Sequence, residues 1–313
     1  MIKLIIKSLT FFVFTLLIFE IYIRIFHLYD DIPKFQLSEN NLLFYRPDQM
    51  GLYNFGNRKE IESKYSINNV GFNSSIDYKF NNSVNKIALI GDSYIEGFHQ
   101  DVVNSIGRKI EKYIPKLCYE YGVSDWNYND YSNLIGSNID DFNQFEYIFI
   151  NINPSDLQYT LKNYLNNYKS KLRVDNQNTI LYKYIYKNIK LISSINQMGL
   201  LDKIKIKTTL FSRNILMEPN NINLQLKNFQ NINKYFIPSF LKKKIVFIIN
   251  SNLNYQESFI SYLKLNNQTI DLKNSFNSSI ESPYYVFDQH WNNMGRDLVS
   301  TEIIDYIINE SLK

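Results

Sequence analysis

The chain has 313 residues, 45% hydrophobic and 20% charged, with a formal net charge of +4. That is enough apolar side chain to bury a full core, and too balanced a composition for a disordered chain. A single cysteine, Cys118, excludes an intramolecular disulfide and a cysteine-rich zinc site, while His27, His99 and His290 contain no His-x-x-x-His pair, so neither a metal nor another cofactor is expected.

Lys3 and Lys7 precede the apolar run from Leu9 to Phe19, which alone is the length of a signal-peptide core. Ile21, Tyr22, Ile23, Ile25 and Phe26 extend it, and Glu20 and Arg24 stand at i and i+4, where pairing offsets their insertion cost. Lys7 and Arg24 are also placed to snorkel toward the two interfaces. No small-x-small cleavage site follows, so residues 1–28 read as an uncleaved, single-pass membrane anchor. Basic residues before it and Asp30-Asp31 after it predict a cytoplasmic amino terminus and an extracytoplasmic domain.

Residues 29–85 are polar and broken by Pro33, Pro47 and several glycines, which reads as a linker and irregular lead-in. Within it, Asn68-Asn69-Val70-Gly71-Phe72 has the composition of a turn that delivers Phe72 onto an apolar surface.

From Lys86 to the end, apolar runs alternate with helical periodicity. Strands are expected at Lys86–Ile90, Leu117–Tyr121, Tyr147–Asn151, Ile245–Asn250 and Thr269–Leu272, and helices around Ile106–Ile114, Glu257–Leu265 and Gly295–Ser311. This order predicts a flavodoxin-like three-layer α/β/α sandwich with a mainly parallel five-stranded sheet, spanning 86–313. A stretch at about 158–244 interrupts it as a helical insertion with sixteen Lys and Arg against three acidic residues. At 100° per residue, Leu181, Ile185, Ile189, Ile192 and Ile195 share one face of a helix there, and Lys183, Lys187 and Lys190 the opposite, solvent-facing one. A basic surface of this kind would pair with anionic lipid or acidic glycan; nucleic acid is not expected, since no nucleic-acid motif is present.

In such sheets functional residues gather at the carboxyl ends of the strands. Asp92-Ser93, Gly122–Asp125 and Asn153–Asp156 each follow a strand. Ser93 needs a base, and Asp288-Gln289-His290 supplies an imidazole with a carboxylate two positions away. Asp92 reads as a hydrogen-bond acceptor beneath the nucleophile. His99 ranks below His290 as base because no carboxylate lies near it in the chain, and is assigned to the cleft lining. Cys118, within an apolar strand, reads as a buried, inert thiol.

Gly91-Asp92-Ser93, Gly122-Val123-Ser124, Asn153-Pro154-Ser155-Asp156 and Asp288-Gln289-His290 occur in the order of the four blocks of the SGNH (GDSL-like) hydrolases, and the chain resembles that family's membrane-anchored bacterial members. The resemblance implies Ser93 as nucleophile, His290 as general base and Asp288 as orienting acid, with Ser93, Asp125, Ser155 and Asn153 as candidates for the oxyanion hole. Two blocks depart from the pattern. Asp125 stands where the family has a second glycine, and Ser155 where it has the asparagine of Gly-x-Asn-Asp, with Asn153 two residues earlier as a substitute. The implied activity is that of a membrane-anchored serine esterase or acyltransferase acting on ester-linked acyl groups, such as O-acyl groups on cell-envelope carbohydrate. The alternative is a catalytically silent binding or assembly component with the same fold.

Overall fold

The computed structural model describes residues 1–29, 31–56, 59–80, 85–165, 185, 188–197 and 224–313. Four short strands come first: β1 (Phe35–Leu37), β2 (Leu43–Tyr45), β3 (Gln49–Phe55) and β4 (Ile61–Ile67). The central sheet follows, with β5 (Lys86–Gly91), β6 (Leu117–Gly122), β7 (Tyr147–Asn151), β8 (Ile245–Ile249) and β9 (Gln268–Asp271). All its pairings are parallel and its order is β6-β5-β7-β8-β9, the flavodoxin-like 2-1-3-4-5 arrangement.

Strand periodicity explains the layers. Ala88, Ile90, Tyr121, Ile150 and Phe247 face one core with the helices Tyr128–Ser137, Gln225–Phe236 and Glu257–Asn266. The alternate residues Ile87, Leu89, Cys118, Phe149 and Val246 face the other, with Ile106–Glu111 and the terminal helix Asn293–Ser311. Every residue of β5 and β8 is buried, as expected of strands covered on both faces.

The linker expected at 29–85 is instead largely folded. β1 pairs with β2 and β3 with β4 as antiparallel hairpins, and Phe35, Leu43, Tyr45, Tyr65 and Ile67 join the main core. In β4, Ile61, Ser63, Tyr65 and Ile67 are buried while Glu62 and Lys64 are exposed. This period-2 signal is short and partly polar, and it is lost among the surrounding asparagines and charges. The turn at 68–72 does place Phe72 in the core: Asn68 Oδ1 accepts from Val70 N and Phe72 N, and Phe72 packs edge-on against Tyr121 and Trp126.

The amino-terminal helix, Ile2–Ile25, is long and apolar enough to cross a membrane. Glu20 and Arg24 pair at 2.7 Å, but they also dock the helix Lys190–Gln197. The Glu20 carboxylate accepts from Lys190 N and Leu191 N at 2.9 and 2.7 Å, capping that helix, while Arg24 donates to Asn188 O. Lys190 therefore does not point to open solvent as its helical face suggests. Its ammonium contacts Asp31 at 3.1 Å and lies over the Tyr29 ring, because Glu20 turns the start of its helix onto the amino-terminal helix. Leu181, Lys183 and Lys187 lie outside the described residues, as does Asp30.

Candidate active site

β5 ends at the sheet's topological switch point, between β6 and β7, and the short helix Ser93–Glu96 starts from it. Asp92 is the N-cap, with Oδ1 accepting from Tyr94 N at 3.1 Å. Ser93 therefore stands at the carboxyl edge of the sheet, its N–H in a first helical turn that has no intrahelical acceptor. Gly97 ends this helix in the left-handed region at φ 74°, with the guanidinium of the buried Arg296 against it. At Gly122, a Cβ would come within 2.0 Å of Glu96 N, so β6 can approach the nucleophile's helix only without a side chain there.

The final segment brings the imidazole. Gln289 adopts φ 53°, which turns it outward and folds Asp288 back onto His290, whose Nδ1 meets Asp288 Oδ1. His290 Nε2 lies 2.7 Å from Ser93 Oγ, across 197 residues of chain. The three residues named from sequence as nucleophile, base and orienting acid thus form one continuous Ser93–His290–Asp288 line. Asp288 and His290 are side by side on the loop leading to the terminal helix, which starts from the N-cap Asn292, whose side chain accepts from Gly295 N at 3.0 Å.

His99 was placed among cleft-lining residues for want of a carboxylate. The structure corrects the premise: its Nε2 lies 2.6 Å from Asp288 Oδ2, off the line of a regular hydrogen bond. Its ring also stacks on that of His290, centroids 4.1 Å apart and 19° from parallel. Burial, reinforced by the neighbouring His290 and partly opposed by Asp288, pushes the His99 pKa down to about 3, so it is neutral at physiological pH. Tyr94 also packs against His290, at 4.8 Å between centroids, with its hydroxyl donating to Gln289 O. The His290 imidazole thus contacts two rings.

Asp92 accepts at both oxygens, from Tyr94 N and from Asn153 Nδ2 at 3.2 Å. Burial raises its pKa to about 6, against the opposing effects of Tyr94 N–H, His290 and Asn153. Asn153 is itself fixed: its N–H donates to Asp156 Oδ2 at 2.8 Å in a capping box, and Asp156, buried and facing Asp92, is pushed well above the usual carboxylate range. Ser155, one residue past Pro154, is exposed at this edge.

The second block is organised around a residue sequence reasoning passed over. Glu96, 3% exposed, accepts from Ser124 N at 2.8 Å, from the Ser124 hydroxyl and from Tyr45. Ser124's N–H is therefore committed to the scaffold. Asp125 follows at φ 67°, a left-handed conformation for which glycine is the default residue and which Asp tolerates better than most, and its side chain is exposed. Burial lifts Glu96 to about 6, opposed by these hydrogen bonds. A carboxylate flanked by Ile95 and Phe98 beside the nucleophile was the available signal. Cys118 is fully buried.

His99, Asp288 and His290 are also the described residues able to hold a cation, with ligand atoms all within 4.8 Å of one another. His290 already uses Nε2 on Ser93 and Nδ1 on Asp288, so two of these ligand atoms are engaged in the hydrogen-bonded line described above.

No family model and no curated protein matches the sequence. Among solved structures, the chain is similar to a lipase/acylhydrolase from Enterococcus faecalis, at 11% identity over 72% of this chain and 96% of that one, with a TM-score of 0.40. It is similar also to a member of the lipolytic G-D-S-L family from Veillonella parvula (12% identity, 70% and 96% covered, TM-score 0.32). A third is an acetylxylan esterase from Geobacillus stearothermophilus (12% identity, 72% and 95% covered, TM-score 0.36). Likeness at this level does not reach catalysis or substrate, for which the arrangement around Ser93 is the ground.

Proposed function

We propose that the protein is a membrane-anchored serine hydrolase of the SGNH type that cleaves ester-linked acyl groups or transfers them to a hydroxyl. The observation that carries this is the 2.7 Å contact between Ser93 Oγ and His290 Nε2, with Asp288 on the far nitrogen. His290 removes the Ser93 proton as the hydroxyl attacks the ester carbonyl, and returns it to the departing alcohol. Asp288 holds the tautomer with the proton on Nδ1 and stabilises the imidazolium that forms. The developing oxyanion is assigned to the backbone N–H groups of Ser93 and Asp125 and the amide of Asn153, with the Ser155 hydroxyl as a further donor at the same edge. Water or a sugar hydroxyl, activated by the same imidazole, then resolves the acyl-enzyme; O-acylated carbohydrate of the cell envelope is the acceptor or substrate that fits an extracytoplasmic domain.

Fluorophosphonate labelling of the full chain tests this. A stoichiometric adduct that disappears in Ser93→Ala, together with cleavage of p-nitrophenyl acetate, is the expected result. A catalytically silent component with this fold is the second reading, favoured by Asp125, which puts an exposed carboxylate on the residue whose N–H is assigned to the oxyanion. It predicts no adduct and no ester cleavage.

A further inference from the structure

The anchor helix does not end in a free tether. Asn54 Nδ2 donates to His27 O at 3.0 Å and to Tyr29 O, Lys59 Nζ reaches Phe26 O at 3.4 Å, and Asp31 N bonds Leu52 O at 3.1 Å. The β3–β4 hairpin is thereby fastened to the last turn of the anchor. The next residue along that hairpin, Phe55, packs against the His99 ring at 5.6 Å and the Phe287 ring at 6.3 Å. Two side-chain contacts therefore connect the end of the anchor to the imidazole that stacks on His290.

Length fixes what this means in a bilayer. Twenty-four helical residues span about 36 Å, against a hydrocarbon core of about 30 Å with a headgroup layer of about 6 Å on each side. With its first turn at one face, the helix carries its last turn into the opposite headgroup layer. The exposed aromatic rings of Tyr22 and Phe26 suit that level. The Ser93 cleft lies two contacts further on, through Asn54 to the chain at His27 and through Phe55 to His99. The loop that carries Asp288 and His290 presents apolar side chains: Val286 is 99% exposed, and Phe287 is 48% exposed and packs on the Phe55 ring. Fully exposed apolar side chains on a loop joined through Phe55 to the end of a helix long enough to cross a membrane suit the acyl-chain boundary.

We propose that Val286 and Phe287 dip into the membrane interface as a lip beside the anchor, and that Ser93 takes its acyl group from an ester carried in the bilayer. This rests on the reading of Ser93 as nucleophile and of the first helix as anchor. It goes beyond it by naming the acyl source as lipid-borne rather than dissolved. Attack by Ser93 Oγ forms the new acyl ester, breaks the bond to the lipid alcohol, and passes the proton through His290 to that alcohol.

The test uses the full chain in nanodiscs of phosphatidylcholine and phosphatidylglycerol. Val286→Cys is labelled with a polarity-sensitive fluorophore; Cys118 is buried and does not compete. Blue-shifted emission, quenched by brominated phosphatidylcholine, is expected. Water-like emission without quenching overturns the lip, including the case in which this loop instead meets a protein partner. In a second arm, Val286→Asp is expected to slow cleavage of bilayer-dissolved p-nitrophenyl palmitate about tenfold while leaving soluble p-nitrophenyl acetate unaffected. Equal rates of wild type and variant on both esters overturn the lipid-borne source. If the wild-type protein cleaved neither ester, the Ser93 reading and the acyl-source clause would fall together, whereas the fluorophore reports membrane contact independently of any chemistry.

Discussion

His99 and His290 lie face to face, ring centroids 4.1 Å apart, and divide the two oxygens of Asp288 between them. The neutral His99 lies against the carboxylate that meets His290 Nδ1. His99→Asn leaves Asp288 Oδ2 buried without its partner, and kcat is expected to fall roughly ten- to a hundredfold with KM little changed, the kinetic equivalent of about 1–3 kcal/mol. Stability carries a second signature. The depressed pKa of His99 means that the unfolded chain binds a proton which the folded chain refuses, so this contribution is present above about pH 6.5 and is lost as pH falls toward about 3. The stability of wild type relative to His99→Asn should therefore decline by up to about 1.4 kcal/mol per pH unit across that window, measured by thermal unfolding in detergent at matched pH values.

Asp288→Asn keeps the shape of the loop but presents an amide to both imidazoles. The Nδ1 proton of His290 then loses its acceptor in half of the amide orientations, and the wrong tautomer becomes accessible. A loss in kcat on the order of 10⁴ is expected, with fluorophosphonate labelling slowed in parallel. An unchanged labelling rate would remove Asp288 from the relay.

Asn153 and Ser155 compete for the position of side-chain oxyanion donor. Asn153 is pinned by Asp92 and Asp156, whereas Ser155 is exposed. Asn153→Ala should lower kcat about 10²- to 10³-fold, and Ser155→Ala by less than about threefold, within the ordinary scatter of a surface substitution. Steady-state kinetics on p-nitrophenyl acetate separates the two.

Glu96 joins the hairpins to the catalytic edge through Tyr45 and Ser124. Glu96→Ala strands buried donors and should cost at least about 3 kcal/mol. Its raised pKa has the opposite sign to that of His99. The folded state holds the proton more tightly than the unfolded chain, so this stabilisation is full below about pH 4.5 and is lost as pH rises through about 6. Glu96→Gln should flatten the fall in melting temperature between pH 4.5 and 6.5.

Glu20 caps the helix Lys190–Gln197 from within the amino-terminal helix. Glu20→Ala removes both acceptors, and the expected outcome is faster proteolytic cleavage near residue 190 with unchanged turnover of p-nitrophenyl acetate. A cleavage rate equal to wild type would show that the cap does not hold this helix down.

The central sheet was legible because β5 and β8 are uninterrupted apolar runs, a pattern that burial on both faces demands. Ser93, Asp288 and His290 were nameable for a local reason: each stands in a short stretch whose neighbours suit the same chemistry. The hairpins of 35–67 escaped notice because their inward residues include Ser63 and Tyr65, which carry little apolar contrast against Asn and Lys. His99 was undervalued for a topological reason. Its carboxylate lies 189 residues onward, and nothing in the chain around position 99 announces it. Lys190 was misplaced because helical periodicity describes a face without saying what lies against it, and here Asp31 and Tyr29 do.

The 197 residues between Ser93 and His290 also impose an order of events on biosynthesis. At about 5–20 residues per second, roughly 10–40 s separate the translation of the hydroxyl from that of its base. Throughout that interval the nascent chain carries an alcohol no more reactive than any other serine. The hydroxyl at 93 meets an imidazole only after the segment carrying residue 290 has been made and has folded back onto the sheet edge.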